Sequence, residues 1–176
     1  MVNFYVFKDG QQQWDSILKA ADDRNVFQSY AWGEYKREFG WSPLRALGRN
    51  HRGEICCLLQ VLVKKLPLGY SMGWAAGGPV LRFQDYEKNV LEDILKPLVN
   101  YFFENFPKML LRVNSHLDHD SLLTYQFQRY LKRPLVKINS EFTIKFELDS
   151  DRLDFINLMS SKHRYYERKA RLSEIV

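Results

Sequence analysis

Cysteine is scarce in this sequence, which contains only two, Cys56 and Cys57, side by side. A disulfide between adjacent residues would be badly strained, and adjacent side chains of a strand point to opposite faces. We therefore interpret both as buried, inert thiols of a protein in a reducing compartment.

Long apolar segments are also lacking. The most apolar stretch, residues 55–63, is interrupted by Gln60 and is too short to cross a bilayer. The N-terminal residues do not combine a basic region with an apolar one, so no secretion signal is indicated. These observations predict a cytoplasmic protein without a transmembrane segment.

Low-complexity tracts, internal repeats and Ser/Gly linkers are missing from the sequence. Nothing in the composition therefore marks a domain boundary. With 176 residues, the chain is long enough to bury a hydrophobic core. We interpret residues 1–176 as a single globular domain.

The charge balance is mildly basic. The chain has 26 Lys and Arg against 21 Asp and Glu, a net charge of +5 that favours anionic partners without requiring nucleic acid. Aromatic residues make up 15% of the chain and supply either core anchors or stacking surfaces. A nucleic-acid binder would account for both features, but no RRM-like or helix-turn-helix pattern supports it.

Hydrophobic spacing predicts strands that alternate with helices. Ser29 is placed to cap a helix over residues 30–39 that Gly40 ends, and residues 44–49 and 54–65 have the pattern of an antiparallel hairpin. The other predicted elements are strands at 2–7, 108–113 and 135–148, and helices around Trp14, at 85–106, before Leu131 and from about residue 150. This order predicts an α/β (α+β) fold, in which helices cover both faces of a central, mostly antiparallel mixed sheet.

Three segments carry motifs of a known family. Residues 27–36, followed by 39–41, read F-Q-S-x-x-W with a lysine one turn on, which is similar to a family motif F-x-Q-S-x-x-W but lacks the residue between Phe and Gln. Residues 66–80 match a glycine-rich strand ending in G-P-V. Residues 143–148 and 162–170 match a strand and a K-x-R-x-x-x-R-K-A helix. In this order the segments resemble the Fem-type aminoacyltransferases, peptidoglycan-bridge enzymes built from GNAT-like acyltransferase folds. The resemblance implies a GNAT-like domain equivalent to the N-terminal half of these enzymes, with the second half absent either because the sequence is a fragment of a longer protein or because the chain is a lone half.

The same resemblance implies a function and its partners. This half would bind the acceptor, a nucleotide- or lipid-linked cell-wall precursor whose amine receives an aminoacyl or acyl group. The donor would be an aminoacyl-tRNA or an acyl-coenzyme A, but no R-x-x-G-x-G/A phosphate loop occurs in the sequence, and we expect no bound cofactor. We therefore expect no transfer by these residues alone, unless a homodimer completes a donor site. The competing hypothesis is a non-catalytic module that binds a phosphorylated ligand or a protein.

The first pair of candidate binding residues lies on the helix predicted after Ser29. Trp32 and Lys36 are one turn apart, so both point to the same side. The resemblance implies that Lys36 contacts the diphosphate of the precursor, a role that suits a point positive charge. The alternative is a solvated lysine beside Glu34 and Glu38.

The second candidate group lies on the last predicted helix, where Arg164, Arg168 and Arg171 form a stripe. Guanidinium groups donate paired hydrogen bonds to phosphate oxygens. Arg164 matches the precursor-binding arginine of the family, and the resemblance implies that it shares one phosphate site with Lys36. The alternative is a solvated amphipathic face.

Other chemistries have weaker support. His116, Asp118, His119 and Asp120 lie close in sequence but lack a third ligand at a recognised spacing, and the aspartates suit helix caps, so we predict no metal site. No serine nucleophile elbow or Walker-type loop occurs. The sequence assigns no catalytic residue.

Overall fold

The described residues form a five-stranded sheet with the strand order β1-β2-β3-β4-β5. The strands are β1 (Asn3–Val6), β2 (Ser42–Arg49), β3 (Ile55–Lys65), β4 (Ser71–Ala76) and β5 (Met109–Asn114). Neighbouring strands run antiparallel from β1 to β4, whereas β4 and β5 are parallel. The prediction of a mixed, mostly antiparallel sheet is confirmed, and β3 lies at its centre.

The computed structural model describes residues 2–81, 90–115, 131–132 and 160–172. The chain forms two units, residues 1–136 and residues 137–176. The sheet belongs to the first unit, and the second is described through one helix, Ser161–Leu172. None of the described helices is long and apolar enough to cross a membrane.

The hairpin between β2 and β3 follows from its turn residues. Asn50 Oδ1 accepts hydrogen bonds from the backbone N–H groups of Arg52 and Glu54, at 2.9 and 3.0 Å. Gly53 has a φ of 81°, a left-handed conformation that glycine adopts without steric cost. The predicted hairpin is confirmed.

Helices pack on both faces of the sheet. They are α1 (Gln11–Lys19), α2 (Tyr30–Arg37) and α3 (Val90–Asn105). On one face, Leu58 of β3 belongs to a buried apolar cluster with Trp14 of α1. On the other face, Leu59 belongs to a cluster with Ile94 and Phe102 of α3. Successive residues of a strand face opposite sides, so a single apolar strand contributes to both cores.

Pro97 lies inside α3 without splitting the helix. Ile94 and Leu95 before it and Leu98 and Phe102 after it are all buried in the same apolar cluster. Packing on both sides of the proline therefore stabilises one continuous helix, although the proline ring removes a backbone donor.

Both cysteines are fully buried, but their arrangement differs from the prediction. Cys57 pairs with Gly48, while Arg49 pairs with Ile55, so Cys56 is left out of the β2–β3 ladder. Both thiols belong to the apolar cluster on the α3 side, and the expectation that they point to opposite faces is wrong because alternation fails at a bulge. Burial raises the pKa of the Cys57 thiol well above its usual value.

Several predicted elements lie outside the described residues. They are the helix before Leu131, the strand at 135–148 and the candidate metal ligands at 116–120. The strand predicted at 108–113 is present as Met109–Asn114. The last predicted helix is described from Ser161 to Leu172.

Candidate functional site

Side chains satisfy the first backbone donors of α2. Ser29 Oγ accepts the N–H of Trp32 at 3.2 Å and donates its own proton to the carbonyl of Val26 at 2.7 Å. Asp15 Oδ1 accepts the N–H of Tyr30 at 2.9 Å, which ties α2 to α1. The predicted Ser29 cap is confirmed, and it fixes where the helix carrying Lys36 begins.

Gln28 joins the segment before α2 to the middle of the sheet. Its buried side chain donates Nε2 to the carbonyl of Gln60 at 3.1 Å and accepts the N–H of Gln60 at Oε1 at 2.7 Å. Nε2 also donates to the carbonyl of Ala76 on β4, at 2.7 Å. The backbone carbonyl of Gln28 accepts Trp14 Nε1–H at 2.8 Å. The glutamine of the F-Q-S-x-x-W segment is therefore structural in this chain.

Arg45 of β2 supports α2 from the sheet. Its guanidinium Cζ lies 3.6 Å from the ring centroid of Tyr30, and the group donates to Gln60 Oε1 at 2.8 Å and to Glu34 Oε1 at 2.9 Å. Glu34 also accepts from Arg37 at 2.9 Å. Hydrogen bonds from Arg37 and Arg45 outweigh burial and hold the pKa of Glu34 below its usual value. Sequence reasoning did not assign Arg45 or Gln60 a role; the signal was a charged and a polar residue in otherwise apolar strands.

The side chain of Lys36 lies against a group of aromatic rings. Its Nζ is 4.8 Å from the ring centroid of Trp32 and 5.6 Å from those of Tyr35 and Phe39. The rings also contact one another, with centroids 5.1 Å apart for Phe27 and Trp32 and 5.0 Å apart for Tyr35 and Phe39. We call these five residues the Lys36 cluster. Tyr35 and Phe39 are 49% and 56% exposed, so the cluster reaches the surface.

The ammonium group of Lys36 has no carboxylate partner within the described residues. The nearby carboxylate of Glu34 pairs with Arg37 and Arg45 instead. The ring faces attract the ammonium group and restrict where it lies. In the same part of the chain, the buried Nε1–H of Trp32 has no hydrogen-bond acceptor among the described residues. The cluster therefore offers a positioned cation, which suits an anionic oxygen ligand.

Arg164 and Arg168 lie one turn apart on the helix Ser161–Leu172 of the second unit. The side chain of Arg164 is half-buried, and those of Arg168, Lys162 and Lys169 are exposed, so this helix presents a basic surface. Lys36 belongs to the first unit. A phosphate site shared by Lys36 and Arg164 stays a prediction.

A second aromatic group, which sequence reasoning missed, lies next to the first. Trp41 and Trp74 have ring centroids 6.1 Å apart at an interplanar angle of 55°, and Lys64 Nζ lies 5.4 Å from the Trp41 ring. We call these three residues the Trp41 cluster. The N–H of Trp41 donates to the carbonyl of Lys36 at 3.3 Å, so the clusters adjoin. Trp41 follows Lys36 closely in sequence, but only strand pairing brings Trp74 and Lys64 to it.

Metal binding has no support in the part of the chain that the structure describes. No three or more His, Cys, Asp or Glu side chains converge there in an arrangement that could hold an ion. The candidates His116 and His119 lie outside it.

Comparison with solved structures identifies proteins of similar fold. The crystal structure of FemX matches with a TM-score of 0.55 and 20% identity, over 71% of this chain and 31% of FemX. An acetyltransferase of Trypanosoma brucei matches with a TM-score of 0.46 and 10% identity, over 84% of this chain and 100% of that one. Glucosamine-6-phosphate N-acetyltransferase from Arabidopsis thaliana matches with a TM-score of 0.48 and 10% identity, over 81% and 99% of the two chains.

No known family model and no curated protein matches the sequence. The likeness to FemX, at 20% identity, shows a shared fold, and this chain spans 31% of the length of FemX. The predicted α/β fold, a mostly antiparallel mixed sheet with helices on both faces, is confirmed.

Proposed function

We propose that this chain binds the acceptor substrate of a Fem-like aminoacyl- or N-acyltransferase. The acceptor would be a nucleotide- or lipid-linked cell-wall precursor that carries a free amine. The observation that carries the proposal is the position of Lys36, whose ammonium group lies over the Trp32 ring at 4.8 Å in a surface-reaching aromatic cluster. The fold shared with FemX, together with the sequence motifs that contain Trp32 and Lys36, supports a cell-wall precursor as the ligand.

The Lys36 cluster suits this ligand because a diphosphate and its attached rings present two kinds of surface. Phosphate oxygens accept charge-assisted hydrogen bonds from an ammonium group. Aromatic side chains pack against the apolar faces of sugar or base rings. Gln28 and Arg45 hold α2 on the sheet, so the cation and the rings are in place before the ligand arrives.

The reaction that this binding would serve is acyl transfer to an amine. The amine nitrogen attacks the carbonyl of an activated ester or thioester, an amide bond forms, and the alcohol or thiol leaves with the proton that the amine gives up. Alignment of the two substrates and stabilisation of the oxyanion supply most of the catalysis in such a step. We propose that this chain contributes the alignment of the acceptor, while an aminoacyl-tRNA or an acyl-coenzyme A is the donor.

The test is calorimetric titration of the full chain with a UDP-linked muramyl peptide at fixed ionic strength. Lys36→Ala should weaken binding about ten- to a hundredfold, because one charge-assisted hydrogen bond is lost. Lys19→Ala is the matched control, since Lys19 also lies in the last turn of a surface helix, and it should bind like wild type.

Each outcome decides a separate part of the proposal. Equal affinity of wild type and Lys36→Ala would show that the site is wrong. No binding by wild type would show that the ligand is wrong. Product formation on addition of an activated donor would contradict the expectation that these residues alone do not catalyse transfer, and would imply a donor site completed by a homodimer.

A further inference from the structure

The turn between β3 and β4 carries apolar side chains that the core does not bury. Leu66, Leu68 and Tyr70 are 43%, 88% and 54% exposed. Every residue from 64 to 70 is exposed, so this turn projects from the sheet, and we call residues 66–70 the hairpin tip. Single exposed apolar residues are ordinary on a protein surface, but three on one projecting turn indicate a partner.

Leu68 is the most exposed of the three, and its backbone conformation is unusual for leucine. Its φ is 60°, in the left-handed region where glycine and asparagine are the common residues. Backbone hydrogen bonds close the turn, because the N–H of Leu66 donates to the carbonyl of Tyr70 at 2.8 Å and the N–H of Tyr70 donates to that of Pro67 at 3.3 Å. Neither packing nor the shape of the turn therefore requires a leucine at position 68.

Lysines surround the base of the hairpin tip. Lys64 and Lys65 are the last two residues of β3, and both are exposed. The exposed Lys108 comes from the segment before β5, where its carbonyl accepts the N–H of Ser71 at 3.0 Å. Its Nζ lies 6.0 Å from the ring centroid of Tyr70. Three cations therefore adjoin the apolar side chains.

The chain segments that form this surface contain no acidic residue. Asp and Glu are absent from residues 55–84, which include the hairpin tip, and from residues 105–117, which include Lys108. The nearest carboxylate along the chain is that of Glu104, at the end of α3. The apolar tip therefore lies in a surface region whose charges are positive, which favours an anionic partner.

Together these features specify a partner that is apolar in one layer and anionic in the next. Exposed leucines gain free energy where water is excluded, and ammonium groups beside them gain it from anionic oxygens. The surface of an anionic lipid bilayer meets both requirements, because acyl chains lie directly beneath the lipid phosphates. Tyrosine is common at this depth, since its ring is apolar and its hydroxyl stays hydrated.

A second copy of the chain suits the hairpin tip less well. A stable protein interface buries about 800 Å² on each partner, which a single projecting turn does not supply. Two copies meeting tip to tip would also bring lysines of like charge together.

We propose that the hairpin tip docks this protein onto anionic lipid bilayers. Leu66, Leu68 and Tyr70 enter the head-group region, while the ammonium groups of Lys65 and Lys108 stay at the level of the lipid phosphates. The contact is peripheral and reversible, because one turn buries too little apolar surface for stable anchoring. The inference goes beyond the proposed function and does not depend on it, since the hairpin tip contains no residue of the Lys36 cluster.

The test is co-sedimentation of the full chain with unilamellar vesicles that contain no cell-wall precursor. Wild type should bind vesicles of phosphatidylcholine with about a third of phosphatidylglycerol more tightly than vesicles of phosphatidylcholine alone, because anionic lipid attracts the lysines. Leu68→Asn should lower the partition coefficient about tenfold, since a polar side chain replaces an apolar one. The same variant should keep or raise the melting temperature, because asparagine suits left-handed backbone better than leucine does.

Val26→Asn is the matched control for the apolar change. Val26 is 62% exposed and lies two residues before Gln28, which binds the carbonyl of Ala76. Ala76 ends β4, whereas the hairpin tip precedes β4, so the control lies at the other end of this strand. Val26→Asn should bind vesicles like wild type.

Charge variants test the lysines separately. Lys65→Gln and Lys108→Gln should each weaken binding to anionic vesicles about fivefold and leave the weak binding to neutral vesicles unchanged. Lys19→Gln, at the exposed end of α1, is the control and should bind both kinds of vesicle like wild type.

A fluorescent probe shows whether the hairpin tip enters the bilayer. Both native cysteines are fully buried, so a solvent-sensitive fluorophore can be attached to Leu68→Cys without labelling them. Its emission should shift to shorter wavelength when anionic vesicles are added, because the probe leaves water. The same probe on Val26→Cys should show no shift.

Three results would overturn the inference. They are no vesicle binding by wild type at millimolar lipid, equal partition coefficients of wild type and Leu68→Asn, and a dimer of wild type that Leu68→Asn dissociates in light scattering, which would assign the tip to a second copy of the chain. The proposed function is tested apart from these, because the vesicles contain no precursor. Failure to bind the UDP-linked muramyl peptide would remove the proposed function and leave membrane docking in place.

Discussion

The side-chain amide of Gln28 binds the backbone of Gln60 as a neighbouring strand would, donating Nε2 to its carbonyl and accepting its N–H at Oε1. A side chain thereby replaces part of a strand in the middle of the sheet. The contact anchors the start of α2 to β3, and α2 carries Lys36. The placement of the candidate site therefore depends on this buried pair.

Replacing Gln28 should destabilise the protein more than any exposed glutamine would. Gln28→Ala leaves the N–H and carbonyl of Gln60 and the carbonyl of Ala76 without this partner in a buried region. At roughly 1–3 kcal/mol for each buried group left unsatisfied, we expect the free energy of unfolding to fall by about 3 kcal/mol or more. Urea denaturation measures it. Gln12→Ala, at an exposed position of α1, is the control, and similar losses in the two variants would contradict the assignment.

Gly33 should not tolerate a side chain, although it lies inside a helix. A Cβ atom at this position would lie 2.6 Å from Arg45 Nη2 and would also meet Gln60 Oε1. Both neighbours are buried and hydrogen-bonded to each other, so overpacking should cost about 1–3 kcal/mol and outweigh the better helix propensity of alanine. Thermal or denaturant unfolding of Gly33→Ala tests this. Gly10→Ala, whose Cβ would have its nearest neighbour at 3.6 Å, causes no overpacking and should cost less than Gly33→Ala, although Gly10 is the N-cap of α1 and alanine is a poorer N-cap residue.

The ion pairs of Glu34 should make stability depend on acidic pH. The pKa of Glu34 is lowered in the folded state, chiefly by the hydrogen bond from Arg37. The ionised side chain therefore stabilises the folded protein at pH values above the pKa that glutamate has in the unfolded state. This stabilisation is lost as the pH falls through the pKa of the folded state. We expect Glu34→Gln to lower the free energy of unfolding at pH 7 by up to about 1 kcal/mol, as is usual for a partly exposed pair. The difference from wild type should vanish well below 4.5, the usual pKa of glutamate.

Denaturant titrations at a series of pH values check this dependence. Glu38→Gln is a suitable control, because Glu38 is exposed and forms no ion pair among the described residues. If the free energy of unfolding of Glu34→Gln stays below that of wild type by the same amount down to low pH, the loss comes from packing rather than from charge.

Lys36 and Arg164 should act together if they bind one diphosphate. Arg164→Ala should weaken binding of the UDP-linked muramyl peptide about ten- to a hundredfold, and Arg164→Lys should recover only part of the loss because the paired donors are gone. Combining Lys36→Ala with Arg164→Ala should weaken binding by less than the product of the two single effects, since both groups serve the same phosphates. Calorimetry of Lys36→Ala, Arg164→Ala and the double variant, each compared with wild type, measures this coupling. Wild-type affinity in Arg164→Ala would favour a solvated basic face.

The cysteines should be unreactive in the folded protein. Both are fully buried, and burial raises the pKa of Cys57 well above its usual value, so little thiolate forms at neutral pH. A chromogenic thiol reagent at pH 8 should label the native protein only at the rate of its unfolding, whereas denatured protein should react at both thiols at once. Rapid labelling of the native protein would contradict this packing.

Local signals account for the features that could be predicted. The Ser29 cap and the Asn50–Gly53 turn depend on side chains that bond to backbone groups within a few residues, so sequence spacing is enough to identify them. The short, nearly continuous apolar run of β3, preceded by turn residues, likewise predicts a strand whichever partners it has. The predicted ends of the helices were less accurate. The second helix was predicted to end at residue 39, whereas α2 ends at Arg37.

Features that depend on pairing between distant segments were not predicted. The shared cluster of Cys56 and Cys57 follows from a slip in the β2–β3 register, which no local pattern reveals. The structural role of Gln28 requires β3 and β4 to lie beside it.

The sequence by itself determined the order of strands and helices, the caps and turns, and the residue types available for binding an anion, because these depend on neighbours along the chain. Only the tertiary structure decided which of those residues meet. Trp74 and Lys64 reach Trp41 through the antiparallel pairing of β3 with β4, and Arg45 stabilises α2 from β2. Register and packing are collective properties of the folded chain, in which a one-residue shift exchanges the faces of a strand, so spacing in the sequence does not contain them.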